Sequence, residues 1–265
     1  MAPIAVRSIG ELVQRSRDHF TSIIGGDLSH STILYRGQAD AQWPLQTTLE
    51  RFSECRFSMA EYMNFLSLVE PRLIEPTRSH AVVERYSARS WAQLTADPQL
   101  LGLMARLRHQ GFPSPLLDWT ASPYIAAYFC FRDSRAPGPV AVYAYKESNG
   151  SGKSTWSGEP HIRSVGHNLR THRRHYTQQA QYTLCLAEIE GAASFGSHED
   201  VFARGDLDQD LLARFILPAE IRDDALTELH SMNINEHSLF GSEEGLCRAL
   251  AQELIPRSTR QHNRI

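Results

Sequence analysis

A short apolar strand that runs directly into an apolar helix is the feature that most restricts the fold of this chain. The residues from Leu116 to Thr120 have the apolar and aromatic character of a strand. Ser122 and Pro123 are the residue types that cap and open a helix. From there to Phe131 the chain carries no charge, so we expect a helix buried on all sides. This uncharged run is too short to cross a bilayer, so a large protein core must cover it.

Hydrophobic periodicity predicts further elements on both sides of this segment. Helices are predicted at residues 8–24, 57–75, 98–110, 218–232 and 242–254. Strands are predicted at 32–35 (ending before Arg36), 140–145, 182–189 and 214–217, with a loop at 147–155. Helices dominate the first half and strands the second. We therefore expect an α+β fold, one compact domain over residues 1–255 with a mixed or antiparallel sheet, and a loose basic tail at 256–265.

The composition excludes several classes of protein. The formal net charge of −3 gives no chain-wide basic surface for nucleic acid. Cys55, Cys130, Cys185 and Cys247 lie far apart, which disfavours a structural zinc site and a disulfide scaffold. No signal peptide is recognisable. We therefore expect a cytoplasmic protein with no metal and no membrane partner.

Tyr35-Arg36-Gly37-Gln38 is the first motif that could carry chemistry. An arginine at the end of a buried strand is costly unless its guanidinium meets a carboxylate or a phosphate. The glycine permits close approach of a ligand or of the backbone. Two hypotheses follow, a clamp for an oxyanion or phosphate and a structural Arg–Asp pair.

The second motif places polar side chains around two predicted turns. His109 ends one predicted helix, and Asp118, Thr120, Ser122 and Tyr124 surround the start of the next. Free N–H groups at a helix start bind anions, and an imidazole titrates near neutral pH. The alternative is that Asp118 and Thr120 are turn and cap residues and that His109 caps its own helix.

Residues 161–175 form a basic, histidine-rich stretch without an acidic residue. Two histidines three residues apart, His172 and His175, are too few ligands for a metal site. A loop that contacts a polyanion through Arg170, Arg173 and Arg174 is one interpretation, and a solvated loop is the other.

In this order the motifs resemble the FRG domain, a family of mainly bacterial proteins. The resemblance is carried by Tyr35-Arg36-Gly37-Gln38, Trp43-x-Leu45, Leu49-x-Arg51 and the segment from His109 to Thr120. It continues through Pro123 and residues 126–129 to Arg174-x-x-x-Gln178, Leu239-Phe240 and Gly245-Leu246. The chain departs from the family pattern at Pro115, where arginine is common, and at Gly241, where proline is usual.

The arginine strand followed by Thr120-Ala121-Ser122-Pro123 is also similar, more distantly, to NAD-dependent ADP-ribosyltransferases of the arginine–serine–glutamate type. This resemblance implies an ADP-ribosyltransferase-like core with NAD as co-substrate and Arg36 on its phosphates. Further contacts to NAD would come from Gly37, Gln38, Trp119, Thr120, Ser122 and Tyr124. The segment that should hold the catalytic glutamate, 176–182, offers Gln178 and no acid. A carboxylate would then come from Asp118, Glu188 or Glu244, because glutamine supplies no negative charge to a developing cation.

The function predicted from the resemblance is an enzyme that uses NAD to modify a nucleic acid or a protein, in a bacterial toxin or phage-defence system. Its catalytic residues would be His109, Asp118, Gln178 and Glu244. Arg170, Arg173 and Arg174 would contact the acceptor. The alternatives are a non-catalytic nucleotide-sensing module and a nucleic-acid-binding module.

Overall fold

Alternating aromatic and small apolar residues build the centre of a sheet. The computed structural model describes residues 2–25, 32–53, 56–72, 91–134, 138–149, 153, 159–166, 169, 173–206 and 208–254. Within them the strands are β1 (Ile4–Ala5), β2 (Leu34–Gln38), β3 (Leu117–Thr120), β4 (Val140–Ser148), β5 (His161–Ser164), β6 (Ala180–Ile189), β7 (Ala192–Phe195) and β8 (Gln209–Leu217).

The eight strands form one mixed sheet, in which seven follow the order β1-β8-β4-β2-β3-β6-β5 and β7 pairs with β6. Only β1 and β8 run parallel among the described strands, and every other pair is antiparallel. Leu186 of β6 pairs with His161 on one side and with Phe195 on the other. Strand β7 therefore extends the line of β3 along the same edge of β6.

Eleven α-helices surround the sheet in the described part of the chain. They are α1 (Ile9–Ile24), α2 (Thr48–Phe52), α3 (Met59–Val69), α4 (Trp91–Ala96), α5 (Pro98–His109), α6 (Pro123–Asp133), α7 (Arg173–Thr177), α8 (His198–Arg204), α9 (Arg222–Ser231), α10 (Glu236–Phe240) and α11 (Glu243–Leu254). Short 3₁₀ turns at Glu70–Arg72 and Ala219–Ile221 follow α3 and precede α9.

Local capping explains where several helices begin. Ser8 accepts the Glu11 N–H at the start of α1, and Asp97 accepts the Gln99 and Leu100 N–H groups at the start of α5. Ser122 caps α6 by accepting the Ile125 N–H, and Pro123 takes the first helical position. The strand-to-helix prediction at residues 116–131 is confirmed.

Two apolar clusters cover one face of the sheet, and a third covers the other face. Phe20, Tyr128 and Phe215 belong to the cluster under α1, α6 and α9. Tyr62, Met104 and Tyr182 belong to the cluster under α3 and α5 on the same face. Trp119, Tyr145 and Val201 belong to the cluster on the opposite face.

The chain crosses from one face to the other between β2 and α2. Leu45 packs in the cluster with Trp119, and Leu49 packs in the cluster with Tyr182. The Leu49 N–H donates to the Ser114 oxygen at 3.1 Å. Helix α2 is therefore fixed beside the start of β3, at one end of the sheet.

The mixed α/β class and the predicted strands are observed, with three corrections. The prediction that the first strand ends before Arg36 is wrong, because Gly37 and Gln38 pair with Val142 and Ala141. The loop predicted at 147–155 begins later, since β4 continues to Ser148. Strands β1, β5 and β7 were not expected from the sequence pattern. The last predicted residues of the helix at 57–75, 73–75, and the predicted tail at 256–265 lie outside the described residues.

Candidate functional site

Arg36 lies where two neighbouring strands separate. Strand β2 pairs with β4 along its whole length but shares a single ladder pair with β3, Tyr35 with Thr120. Beyond that pair, Nη1 of Arg36 donates to the main-chain oxygen of Asp118 at 2.9 Å. The buried Nε of Arg36 has no hydrogen-bond partner among the described residues. Because an unsatisfied buried donor costs free energy, a bound anion at this nitrogen would be stabilising.

An arginine from a helix holds the Asp118 carboxylate. Arg108, in the last turn of α5, donates from Nε and Nη2 to the two carboxylate oxygens, and from Nη1 to Thr48 Oγ1 at 2.7 Å. The Arg108 side chain is 7% exposed and the Asp118 side chain 38%. The structural Arg–Asp pair that was considered for Arg36 is thus formed by Arg108 and Asp118 instead. The carboxylate of this pair is partly exposed to solvent.

The charge on Asp118 depends on two opposing effects. Burial raises the pKa of this carboxyl, and Arg108, helped by Arg36, outweighs that effect, so the pKa lies below its ordinary value. Asp118 is therefore ionised at neutral pH, and Arg108 balances most of its charge.

Arg51 of α2 adds a third guanidinium, and we call Arg36, Arg51 and Arg108 the arginine cluster. Burial lowers the pKa of Arg36 to about 10, an effect that Asp118 opposes and that Arg108 and Arg51 reinforce. Arg51 also interacts with Asp118 and with Glu50. Three guanidinium groups against two carboxylates leave an excess of positive charge beside the partly exposed Asp118, which favours an anionic ligand.

Two histidines and a tyrosine lie beside this cluster. His109 Nε2 is 3.0 Å from the hydroxyl of Tyr182, and the ring of His175 stacks on Tyr182 at a centroid distance of 5.8 Å. Burial lowers the pKa of His175, and His109 adds to the shift. His109 also interacts with Asp118. The structure therefore brings three predicted site residues, Arg36, His109 and Asp118, to one place.

Other residues predicted to bind the cofactor make contacts within the protein. Trp119 is buried, donates from Nε1 to Thr183 Oγ1 at 2.9 Å and packs on Tyr145. Thr120 Oγ1 donates to the Gln178 oxygen at 2.8 Å and accepts the Ser122 N–H. Tyr124 packs against the core cluster under α6. These contacts support the cap interpretation of Thr120 and Ser122, and their binding of a cofactor stays a prediction.

Gly37 permits close approach of the backbone, one of the two interpretations considered for this glycine. A Cβ built on Gly37 would lie 2.0 Å from the main-chain oxygen of Ala126 and 2.8 Å from the nitrogen of Cys130. The backbone of α6 therefore requires a glycine here, and contact of Gly37 with a cofactor stays a prediction. Gln38 is buried and donates from Nε2 to the Pro44 oxygen at 3.1 Å.

The remaining predicted catalytic side chains are not gathered at the arginine cluster. Gln178 donates from Nε2 to the Leu239 oxygen at 3.2 Å, which ties it to α10. Glu244 is 72% exposed on α11 and pairs with Arg248. Glu188 is six positions along β6 from Tyr182, the ladder partner of Asp118, so about 20 Å separates it from the cluster. Asp118 is thus the one predicted carboxylate that lies at the cluster.

The predicted acceptor-binding arginines are only partly described. Arg170 and the side chain of Arg173 lie outside the described residues. The guanidinium of Arg174 lies over the ring of Phe240 at 5.3 Å from its centroid. The guanidinium of Arg132 lies 4.9 Å from the same centroid. Phe240 therefore holds Arg174 close to α10.

Three contributors to the site, Thr48, Arg51 and Arg108, were not predicted as site residues. Arg108 ends an apolar helix and looks like an ordinary basic residue in a last turn. The available signal was its position ten residues before Asp118, in the same motif. Nothing in the local sequence marks Thr48 as a site residue. Its contact with Arg108 forms only because the chain crosses from one face of the sheet to the other before α2.

A comparison with family models matches residues 31–138 to the FRG domain. The match contains the whole arginine cluster and Asp118, whereas Tyr182, His175 and Gln178 lie beyond it. No curated protein and no solved structure matches the chain. The described residues include no group of three or more metal-ligating side chains, and none of their helices is long and apolar enough to span a membrane.

Proposed function

We propose that the arginine cluster binds the phosphate groups of a nucleotide, with NAD as the ligand. The observation that carries this proposal is the buried Nε of Arg36, which has no partner among the described residues and lies in a cluster of three guanidinium groups. Phosphate oxygens accept several charge-assisted hydrogen bonds at once, and arginine suits them better than lysine. Arg108 is already engaged by Asp118 and Thr48, so Arg36 and Arg51 would make the direct contacts.

Calorimetric titration with NAD, ADP-ribose and nicotinamide tests this proposal. We expect NAD and ADP-ribose to bind with similar affinity and nicotinamide not to bind, because the recognised groups are the phosphates. Arg36→Ala should weaken NAD binding at least about tenfold, equivalent to about 1.4 kcal/mol. Arg15→Ala removes an exposed arginine in a surface ion pair with Glu11 and serves as the matched control. Equal affinities of the two variants for NAD would contradict the proposal.

ADP-ribosyl transfer to a nucleic acid or protein acceptor is the second candidate function. It is favoured by the position of a partly exposed Asp118 beside Arg36 and His109. In this reaction the bond between ribose C1′ and nicotinamide breaks, and nicotinamide leaves with the electron pair. The acceptor bonds to C1′ and gives its proton to a base, the role predicted for His109. Because Arg108 engages both oxygens of Asp118, this carboxylate offers less negative charge to the developing cation than an unpaired one would. For that reason nucleotide binding, as in a non-catalytic sensor, has the stronger support.

Release of nicotinamide from NAD separates the two functions. An enzyme should release nicotinamide from NAD when a cell extract supplies a suitable acceptor. The cytoplasm is the proposed location of this reaction in the cell. Asp118→Asn should reduce that release at least about a hundredfold while NAD still binds. Binding of NAD by the wild type without any release would support the sensor and count against the enzyme.

A further inference from the structure

Helix α2 separates the arginine cluster from a cavity on its other side. Thr48 and Arg51 lie toward the cluster, whereas Thr47, Glu50 and Ser53, spaced three residues apart, line the cavity. The cavity has a volume of about 310 Å³, which is within the range of small-ligand sites. We call it the α2–β7 cavity, after the helix and the strand that ends at Phe195.

The base of the α2–β7 cavity is apolar and held in place by aromatic packing. Pro115, Phe57 and Phe195 line it. The ring of Phe195 meets Tyr62 edge-on at 5.5 Å, and the Phe195 N–H donates to the Phe57 oxygen at 3.0 Å. Pro115 adds an uncharged surface beside the rings of Phe57 and Phe195.

Two carboxylates give the cavity its charge. Glu50 Oε2 accepts both the N–H and the hydroxyl of Thr47, at 2.7 and 2.8 Å. Asp200 Oδ2 pairs with Arg56 at 3.0 Å. Among the described residues, no hydrogen bond reaches the second oxygen of either carboxylate, Glu50 Oε1 or Asp200 Oδ1. With Arg56 as the one cationic lining residue, the described lining carries one more negative than positive charge. This is opposite in sign to the arginine cluster across α2.

The cavity wall also contains Ser197, at the N-cap position of α8. Its side chain makes no capping hydrogen bond. Replacement of this side chain therefore removes no helix cap.

We propose that the α2–β7 cavity binds a flat, positively charged group that donates hydrogen bonds, such as a guanidinium. The charged plane would lie against Phe57, Phe195 and Pro115, where a cation is attracted by aromatic faces. Glu50 and Asp200 would accept its N–H groups, because guanidinium and carboxylate form charge-assisted pairs. This site is separate from the proposed nucleotide site and does not depend on it.

Titration of the full chain with agmatine, followed by saturation-transfer NMR and calorimetry at low salt, tests this site. Agmatine should bind the wild type, and 4-guanidinobutyrate, which carries a carboxylate where agmatine carries an ammonium group, should bind at least about threefold more weakly. S197W fills the cavity and should weaken agmatine binding at least about tenfold. D200N neutralises an exposed carboxylate and weakens its pair with Arg56. This variant should weaken agmatine binding about threefold or more, which gives an answer even if S197W does not fold.

Two control variants complete the experiment. E159Q removes an exposed carboxylate that pairs with Arg204 and does not line the cavity, and it should leave agmatine affinity unchanged. R36A should also leave it unchanged, so failure of the nucleotide proposal and failure of this one are distinguishable. Absence of agmatine binding to the wild type, or equal binding to the wild type and D200N, would overturn the proposed site.

Discussion

His198 is a buried histidine whose protonation state follows from its neighbours. Trp119 Nε1 donates to Thr183 Oγ1, and this oxygen lies 2.9 Å from His198 Nε2. A hydroxyl can donate one hydrogen bond and accept two, so Trp119, Thr183 and His198 form a buried hydrogen-bonded chain. His198 is neutral at neutral pH. Burial, together with the charge of Arg36, lowers the pKa of His198 to about 3.

This histidine should make the protein less stable in mild acid. The unfolded chain takes up a proton near pH 6.5, whereas folded His198 does so only near its pKa of about 3. The free energy of unfolding should therefore fall as the pH drops below 6.5, by up to about 1.4 kcal/mol per pH unit from this group. His198→Gln keeps an acceptor for Thr183 and does not titrate. Urea unfolding between about pH 4 and 7 should show a shallower pH dependence for this variant.

The exposed His237 on α10 provides the control for that measurement. His237→Gln should retain the wild-type slope of unfolding free energy against pH. If His198→Gln also retained it, another group would be responsible for the acid sensitivity.

At the scale of elements, the end of α10 depends on a glycine in the left-handed conformation. Gly241 adopts φ +63°, and its N–H donates to the His237 oxygen at 2.8 Å. Proline cannot adopt this φ and has no N–H to donate. The glycine at this position therefore forms a left-handed helix cap that proline cannot form.

Substitutions at Gly241 should destabilise the protein to different degrees. Gly241→Ala should lower the free energy of unfolding by about 1 kcal/mol, because only the left-handed conformation is penalised. Gly241→Pro should lower it by about 3 kcal/mol or more, since the hydrogen bond is also lost. Gly10→Ala in α1, where a Cβ meets no atom closer than 3.9 Å, should instead raise it by about 0.5–1 kcal/mol. Urea unfolding measures all three, and equal effects of alanine and proline at Gly241 would contradict this account.

The elements that the sequence predicted well are those whose signals are local. The starts of α1, α5 and α6 follow from Ser8, Asp97 and Ser122, each of which contacts N–H groups two or three residues away. Strands β5 and β7 have four residues each and are defined by their pairing with β6. No local sequence pattern predicts this pairing. The end of β2 was misplaced for the same reason.

The candidate site shows the same division between local and distant information. Arg36, His109 and Asp118 stand in distinctive motifs and do lie together. The partner of Asp118 was missed because the contact joins a helix end to a strand across the sheet face. The local motif left open whether Gly37 admits a ligand or the backbone, because the atom that requires a glycine belongs to Ala126, far away in the chain.

For the whole molecule, the balance of charge should restrict which polyanions bind. The chain carries a formal net charge of −3, whereas the arginine cluster is locally positive. A nucleotide needs only the cluster, but a duplex must lie against a much larger part of an acidic surface.

Accordingly, fluorescence anisotropy at about 150 mM salt should detect no binding of a duplex DNA of arbitrary sequence. Because affinity for duplex DNA varies steeply with salt, the measurement should be repeated at lower salt. Duplex binding that persists in Arg36→Ala and is lost when Arg170, Arg173 and Arg174 are replaced by alanine would favour the nucleic-acid-binding alternative instead.

The parallel pairing of β1 with β8 has a consequence for synthesis on the ribosome. Ile4 pairs with Phe215, about 210 residues later in the chain. At about 5–20 residues per second, β1 waits roughly 10–40 s for its partner to be made. During that time the sheet can be assembled from β2 to β7 without its parallel edge. The amino-terminal segment is thus among the last to be secured, and a nascent chain stalled before β8 should leave it accessible to proteases.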